Sequence, residues 1–361
     1  MPVFDDFTSV PVLDYDLLKT GIGSNHSFLY LANPPVPRDT IDNLISYIPR
    51  VFALPQEEKD KIAMRNSQCF LGYNRFGSEF TKGSTDLREQ FDFASPYISR
   101  WEPGKPEYLR LWGDSQWPDD KLIPGFRQTV ETYINQVGEL SFKFVSLTAE
   151  ALGLPPNGLD KFYDNIPTVA NIQQRCKLVK YPPINEGGSK QGVGPHYDAS
   201  FLTFLLQASP HEGLQVQNIR GEWIPASPIP GTFVVNIGKG LETATRGVAK
   251  ATSHRVVSPS DGSGSVPGPR YSVPLFQNIS QTVRVCDEIL TLPEEVIELA
   301  RTRGDVAPSD SINFSEYDRD PSGQVNLIGR IKSHPDVAER HYPELFKHYF
   351  PNGLPSHGNA Y

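Results

Sequence analysis

Residues 194–207 read GPHYDASFLTFLLQ, a histidine and an aspartate one residue apart at the head of an apolar run. Buried in a strand, both side chains are costly unless partnered. Two arrangements offset that cost: a loop-to-strand boundary with a local hydrogen bond, or a metal ion. On an extended chain residues i and i+2 point the same way, so His196 and Asp198 can bind one ion from one strand end. Fifty-five residues then separate Asp198 from His254, in KATSHRVV. An antiparallel roll returns the chain past its first strand over such an interval, which brings a third ligand within reach. Two histidines and a carboxylate leave three coordination positions open, which suits non-haem Fe(II) and dioxygen. Zinc hydrolysis tolerates the same ligands, so the triad alone does not name the metal.

Beyond His254, the segment GPRYSVPLF places Arg270 and Ser272 on one face of a further strand. A guanidinium with a hydroxyl beside it forms a fork that matches a carboxylate. A buried arginine without an anion destabilises its protein. Either a protein carboxylate, in an internal salt bridge, or a ligand carboxylate should therefore meet Arg270.

The setting of these residues is β-rich. From about Arg175 to Cys286 short runs alternate with Gly, Pro and Asn turns: KLVKY, SFLTFLLQ, GLQVQ, GEWIPA, GTFVVNIG, HRVVS, RYSVPLF and TVRVCD. Strands at that spacing predict a sandwich or barrel, a jelly roll first among them. The part before it reads as mostly helical after two short strands, in VPVLDYDLL and SFLYLAN (27–33). Ile41, Leu44, Ile45, Ile48 and Val51 recur at helical spacing within PRDTIDNLISYIPRVFALPQEEKDKIAM, and a longer helix is predicted from about Gly125 to Gly153. Its stripe runs Phe126, Val130, Ile134, Val137, Leu140, Phe144, Leu147 and Ala151. The last seventy or so residues turn helical again. The expected division is an N-terminal segment over 1–165, a jelly-roll core over 166–290 and a helical C-terminal segment over 291–361 that can act as a lid, all packed as one unit.

Bulk composition narrows the partners. With 42 acidic against 34 basic residues the formal net charge is −8, and no basic run interrupts it, which argues against a nucleic-acid surface. No apolar stretch approaches the length of a membrane span. The three cysteines, Cys69, Cys176 and Cys286, are odd in number and far apart, so a reducing compartment is expected. MPVFDDFTSVPVLDYD lacks the basic and apolar regions of a signal peptide. The expectation is a cytoplasmic protein, monomer or weak homodimer, acting on a small molecule.

The stretch from LVKYPP through GPHYDASFLTFLLQ and the segment GTFVVNIGKGLETATRGVAKATSHRVV to RYSVPLFQNIS resembles the core of the 2-oxoglutarate- and Fe(II)-dependent dioxygenases of the isopenicillin N synthase-like superfamily. GSNHSFLYLANPPVPRDTIDNLISYIPRVFALPQEEKDKI and GYNRFG…DLREQFDFA resemble the opening segment of the same family, so the likeness spans roughly residues 8–290. It implies a double-stranded β-helix, a cupin-like jelly roll, with flanking helices. It also implies that His196, Asp198 and His254 hold Fe(II), that Arg270 and Ser272 bind the distal carboxylate of 2-oxoglutarate, and that the Tyr181 hydroxyl reaches the same cosubstrate. The implied reaction consumes O2, releases succinate and CO2, and oxidises a C–H bond by hydroxylation, desaturation or ring closure. Three positions depart from the family pattern: Val179 where an asparagine is usual, Lys239 in NIGK where aspartate is usual, and ANPP (32–35) in place of NHG. They suggest a remote branch, compatible with specialised metabolism.

Substrate contacts are less well marked. Phe276 shares the parity of Arg270, and Arg75, Phe80 and Phe93 lie in segments that cover the mouth in family members. Tyr197, between two ligands, is expected to face away by strand alternation. Phe314 and Tyr317 in SINFSEYD are further candidates. Two alternatives remain at this level: an isopenicillin N synthase-type oxidase using iron and O2 without 2-oxoglutarate, and a non-catalytic jelly-roll binding module.

Overall fold

The computed structural model describes residues 7–18, 27–81, 84–163, 172–184, 191–259, 267–302, 317 and 319–354, with the side chains of Phe80 and Leu299 excepted. Eight strands between residues 175 and 276 build the core. They are β7 (Arg175–Tyr181), β8 (Gln191–His196), β9 (Leu202–Gln207), β10 (Leu214–Gln217), β11 (Trp223–Pro225), β12 (Phe233–Ile237), β13 (His254–Val257) and β14 (Arg270–Phe276). The chain alternates between two sheets. One contains β12-β9-β14-β7 and the other β11-β10-β13-β8, with all neighbours antiparallel. This is the expected double-stranded β-helix.

The N-terminal part is less helical than its sequence suggested. Its strands β1 (Val12–Asp14), β2 (Phe28–Ala32), β3 (Gly72–Asn74) and β6 (Glu89–Ala94) extend the larger sheet to the order β1-β2-β12-β9-β14-β7-β6-β3. A hairpin, β4 (Phe80–Thr81) with β5 (Ser84–Thr85), lies between the last two. β6 is buried on both faces, so its sequence EQFDFA carries no polar-out alternation that would have marked it. VPVLDYDLL extends only over β1 before turning into the short helix α1 (Tyr15–Leu18). TVRVCD, expected as a strand, instead holds a 3-10 turn at Val285–Asp287. Val285 there is buried and the turn packs on α5 (Lys239–Ala244), while β14 already has a partner on each side.

Helices cover the outer face of the larger sheet. α2 (Arg38–Phe52) buries Ile41, Leu44, Ile48 and Val51. The chain breaks at Pro55, where a new helix, α3 (Gln56–Lys61), begins. α4 (Phe126–Ala151) packs on α2, β9 and β14 and buries the expected stripe as far as Phe144, whereas Leu147 is half-buried and Ala151 exposed. Each fully buried Leu, Ile or Phe in this layer contributes about 1.5–3 kcal/mol. Gly153 ends the segment at φ +72°, a conformation that costs glycine little. Beyond the core lie α6 (Glu294–Thr302), α7 (Ser322–Ser333), α8 (Pro335–His341) and α9 (Pro343–Tyr349). No described helix is long and apolar enough to cross a membrane.

Candidate metal centre and active site

Two cross-strand pairs organise the site, one on each sheet. His196 ends β8 and His254 begins β13, and the two are direct register partners. Arg270 begins β14 and Tyr181 ends β7, and these too are register partners. The spacing between the two histidines in sequence is thus the path through β9, β10, β11 and β12.

The histidine rings lie 4.3 Å apart between centroids. Nδ1 of His196 is 2.9 Å from the Gly194 carbonyl and Nδ1 of His254 is 3.1 Å from the Thr252 carbonyl. A carbonyl only accepts, so each Nδ1 carries the proton and each Nε2 keeps a free lone pair. Both Nε2 atoms are 3.8 Å from Asp198 Oδ1, too far for a hydrogen bond. Asp198 Oδ2 is occupied by Thr203 Oγ1 at 2.6 Å and Asn236 Nδ2 at 2.8 Å, which aims Oδ1 at the imidazoles. The three ligand atoms lie within 4.8 Å of one another. Three convergent lone pairs with no proton among them fit an Fe(II) ion.

The electrostatics agree with that fit. His196 is pushed down to about 4, by burial first and then by its neighbour His254, against the pull of Asp198. Burial alone would raise the Asp198 carboxyl, yet His254, His196 and the bonds from Asn236 and Thr203 together hold it below its ordinary value. The site therefore presents neutral imidazole and charged carboxylate, the forms that bind a metal.

Asp198 lies beyond the end of β8, in the loop before β9, so strand alternation does not govern it. The NIGK turn fixes that loop. The Lys239 N–H donates to the Asp198 carbonyl at 2.8 Å and the Gly238 N–H to that of Phe201 at 2.9 Å. A side chain at Gly238 would meet the Ser200 carbonyl oxygen at 2.0 Å, so glycine is required for the approach. Tyr317 braces the same loop by donating its hydroxyl to the Ala199 carbonyl at 2.6 Å. The unusual Lys239 pairs with Glu242 at 2.9 Å and stands 4.9 Å over the Tyr197 ring. Tyr197 borders the cavity, and strand alternation does not govern it because β8 ends at His196.

A cavity of about 350 Å³ opens between the sheets, with His196, Asp198 and His254 in its wall. Arg270, Ser272, Tyr181 and Phe276 line it as well. Arg270 is 1 % exposed; its Nη2 donates to Gln207 Oε1 at 3.1 Å, while Nε and Nη1 have no hydrogen-bond partner. Burial depresses its pKa, partly offset by the adjoining Tyr181. The internal salt bridge left open by the sequence is not formed, since no carboxylate reaches Arg270 among the described residues.

Two of the other sequence candidates lie elsewhere. Arg75 is exposed and forms a two-pronged ion pair with Asp60 at 2.9 and 2.5 Å, on the outside of the molecule. Phe93 is buried in the main core, stacked 4.5 Å from Trp117, because it lies on the face of β6 opposite Asp92. The Phe80 side chain and Phe314 fall outside the described residues. Thr203 and Asn236, register partners on β9 and β12, had not been singled out. Isolated polar residues in buried apolar strands were the available signal. Also unforeseen was a charged group around Glu79, Arg88, Lys177 and Arg330 in the same cavity.

Comparison with known proteins identifies the chemistry. Residues 170–279 match the 2OG-Fe(II) oxygenase superfamily, and residues 23–120 match the family described as non-haem dioxygenase in morphine synthesis N-terminal. A 2-oxoglutarate-dependent dioxygenase of Dothideomycetidae sp. (strain 11243) is 41% identical over 94% of this chain and 94% of its own length. The chain belongs to the 2OG-Fe(II) oxygenase superfamily. A 2-oxoglutarate-dependent dioxygenase of Gibberella zeae is 35% identical over 95% of this chain and 93% of its own. A homoarginine-6-hydroxylase of Oryza sativa subsp. japonica is 33% identical over 80% of this chain and 83% of its own. Among solved structures, a full-length Neurospora crassa protein in complex with alpha-KG and 5-formyluracil shares the fold, with TM-score 0.65 and 21% identity over 95% of this chain and 99% of that one. A member of this superfamily uses Fe(II), 2-oxoglutarate and O2, and this chain carries the His-Asp-His site that the iron needs. It is a 2-oxoglutarate-dependent dioxygenase, not a non-catalytic module.

Proposed function

We propose that the chain oxidises a C–H bond of a small organic molecule, with His196 and His254 Nε2 and Asp198 Oδ1 holding Fe(II) and Arg270, Ser272 and Tyr181 holding 2-oxoglutarate. When bound, the iron supplies dioxygen activation coupled to decarboxylation of 2-oxoglutarate to succinate and CO2. The chain's own residues bind, orient and exclude water. Arg270 offers two free N–H directions to a distal carboxylate, Ser272 adds a hydroxyl two residues along the same strand face, and Tyr181 stands across the ladder. Thr203 and Asn236 keep Asp198 charged and aimed. Phe276 narrows the cavity wall. α7 contributes Gly323, Val325 and Arg330 to that wall, which supports a role for the C-terminal segment as a lid. Three free cysteines, two of them buried, support a reducing, cytoplasmic setting. We infer a monomer or weak homodimer.

The observation that carries this reading is that the Arg270 guanidinium, in the cavity that also holds the triad, meets no carboxylate among the described residues and leaves Nε and Nη1 without a partner. The test is anaerobic addition of 2-oxoglutarate to the Fe(II)-loaded protein. A weak visible charge-transfer band, then succinate on admitting O2, is the expected result. A protein that shows neither and oxidises its substrate without 2-oxoglutarate is an oxidase of the isopenicillin N synthase type.

A further inference from the structure

The inner face of β7 carries Tyr181, Val179, Lys177 and Arg175 in alternation, beside Arg270, Ser272, Pro274 and Phe276 on β14. Lys177 is four residues from Tyr181, about 13 Å along a strand. It therefore lies well removed from the Arg270 end while facing the same cavity.

Around it the charges do not cancel. Arg88 is taken by Glu79 at 2.6 Å and Asp86 at 3.3 Å. Arg330, from α7, is taken by Asp92 at 3.2 Å. Arg175 is buried against the carbonyls of Cys69, Phe70 and Leu111. Among the described residues, four cations thus face three carboxylates, and Arg175 is the one with no carboxylate partner. Lys177 is ion-paired to Asp92 Oδ1 at 3.3 Å and Glu79 Oε1 at 3.6 Å, yet it is the one whose charged nitrogen makes no hydrogen bond. Its side chain is 6 % exposed. Burial depresses its pKa, with Asp92 and Glu79 pulling the other way. A buried ammonium with unfilled donors is destabilising by itself and gains most from an anionic ligand.

The surface toward the cavity is more one-sided still. Asp86 and Asp92 stand behind it, so Glu79 is its only lining carboxylate among the described residues apart from the iron ligand, against Arg88, Arg175, Lys177 and Arg330. Such a wall focuses potential on an entering anion. Between the cations run Leu111, Trp112, Phe276, Ile279 and Val325, an apolar lining.

Resting on the oxygenase reading above, we propose that the substrate is a monocarboxylic acid with an apolar body, its carboxylate received by the Lys177 ammonium. One surplus positive charge matches a single negative charge. The carboxylate supplies the hydrogen bonds that Asp92 and Glu79 do not, and the apolar remainder lies along the wall toward the iron ligands. Lys177 is then a specificity-determining residue.

The test uses Fe(II)- and 2-oxoglutarate-loaded enzyme under anaerobic calorimetry, with phenylacetate, 3-phenylpropionate, cinnamate and octanoate as probes, each beside its neutral methyl ester. The expected result is that wild type binds at least one acid about 30-fold more tightly than its ester, the size of one hydrogen bond between charged groups. Lys177→Met should reduce that preference to about threefold or less, and Lys177→Arg should retain most of it. Admitting O2 should give succinate release that the acid triggers and the ester does not. A wild type that prefers no acid over its ester overturns the proposal, a comparison that needs no variant to fold. It is equally overturned if Lys177→Met keeps the preference, or raises the 2-oxoglutarate KM in its place, since the cation then serves the cosubstrate. Absence of the 2-oxoglutarate band in wild type would sink the oxygenase reading itself. A normal band with no acid preference sinks only the carboxylate.

Discussion

Replacing Arg270 by methionine should move two measurements in opposite directions. Without ligand, Arg270 is a buried charge with two of its three nitrogens unpartnered. Exchanging such a group for an apolar one of similar volume stabilises by about 1–4 kcal/mol. The substitution also removes the contact to Gln207 at 3.1 Å and the packing 5.1 Å above the Tyr181 ring, which together give back about 1–2 kcal/mol. The 2-oxoglutarate-free protein should therefore be as stable as wild type or more so, with a Tm higher by up to a few degrees. With 2-oxoglutarate the order reverses. Loss of a buried, charge-assisted partner costs about 2–5 kcal/mol, which is roughly a 30- to 4,000-fold rise in Kd. Differential scanning calorimetry of both proteins, with and without 2-oxoglutarate, reads both effects in one series. Wild type should gain Tm with ligand while the variant does not. If Arg270→Met lowers the ligand-free Tm and leaves the ligand-induced gain unchanged, Arg270 is a structural residue and the assignment is wrong.

Two further outcomes are expected. His196→Ala should lose stoichiometric iron, measured by metal analysis, together with 2-oxoglutarate turnover, while far-ultraviolet circular dichroism stays close to wild type; iron retained at wild-type occupancy would contradict the triad. His334, fully buried, is pushed down to about 4, chiefly by burial, with Glu79 opposing. Between that value and its ordinary 6.5 the unfolded chain binds the extra proton, so the stability His334 supports is present above 6.5 and falls as pH drops through the window. Urea melts at pH 7.5 and pH 5 should show wild type losing about 2 kcal/mol more than His334→Gln, and equal losses would contradict the assignment.

The chain order HxD, distal His and RxS was legible in sequence because each piece is short, and alternation along a strand fixes which side chains share a face. His254, Arg270 and Ser272 could be placed on strands, the last two on one face, from that rule, and α4 could be drawn from its stripe. The rule did not apply where the backbone left the strand: Asp198 and Tyr197 stand beyond the end of β8, and both border the cavity. It was also silent for β6, buried on both faces; Arg75 and Phe93 were drawn from segments that cover the mouth in family members, and their side chains turn to solvent and core.

Sequence by itself determined the order HxD, distal His and RxS and a core of short strands, since these rest on local periodicity, and the family resemblance added the double-stranded β-helix and the ligand roles. Only the tertiary structure decided that Asp198 Oδ2 is clamped by Thr203 and Asn236, that Arg270 meets no protein carboxylate among the described residues, and that Glu79, Asp92, Lys177 and Arg330 converge. The last four come from four separate segments spanning some 250 positions of the chain. Electrostatic balance depends on distances of a few ångströms between such residues and not on their separation in sequence. The surplus positive charge of the cluster around Lys177 is therefore a property of the folded cavity alone.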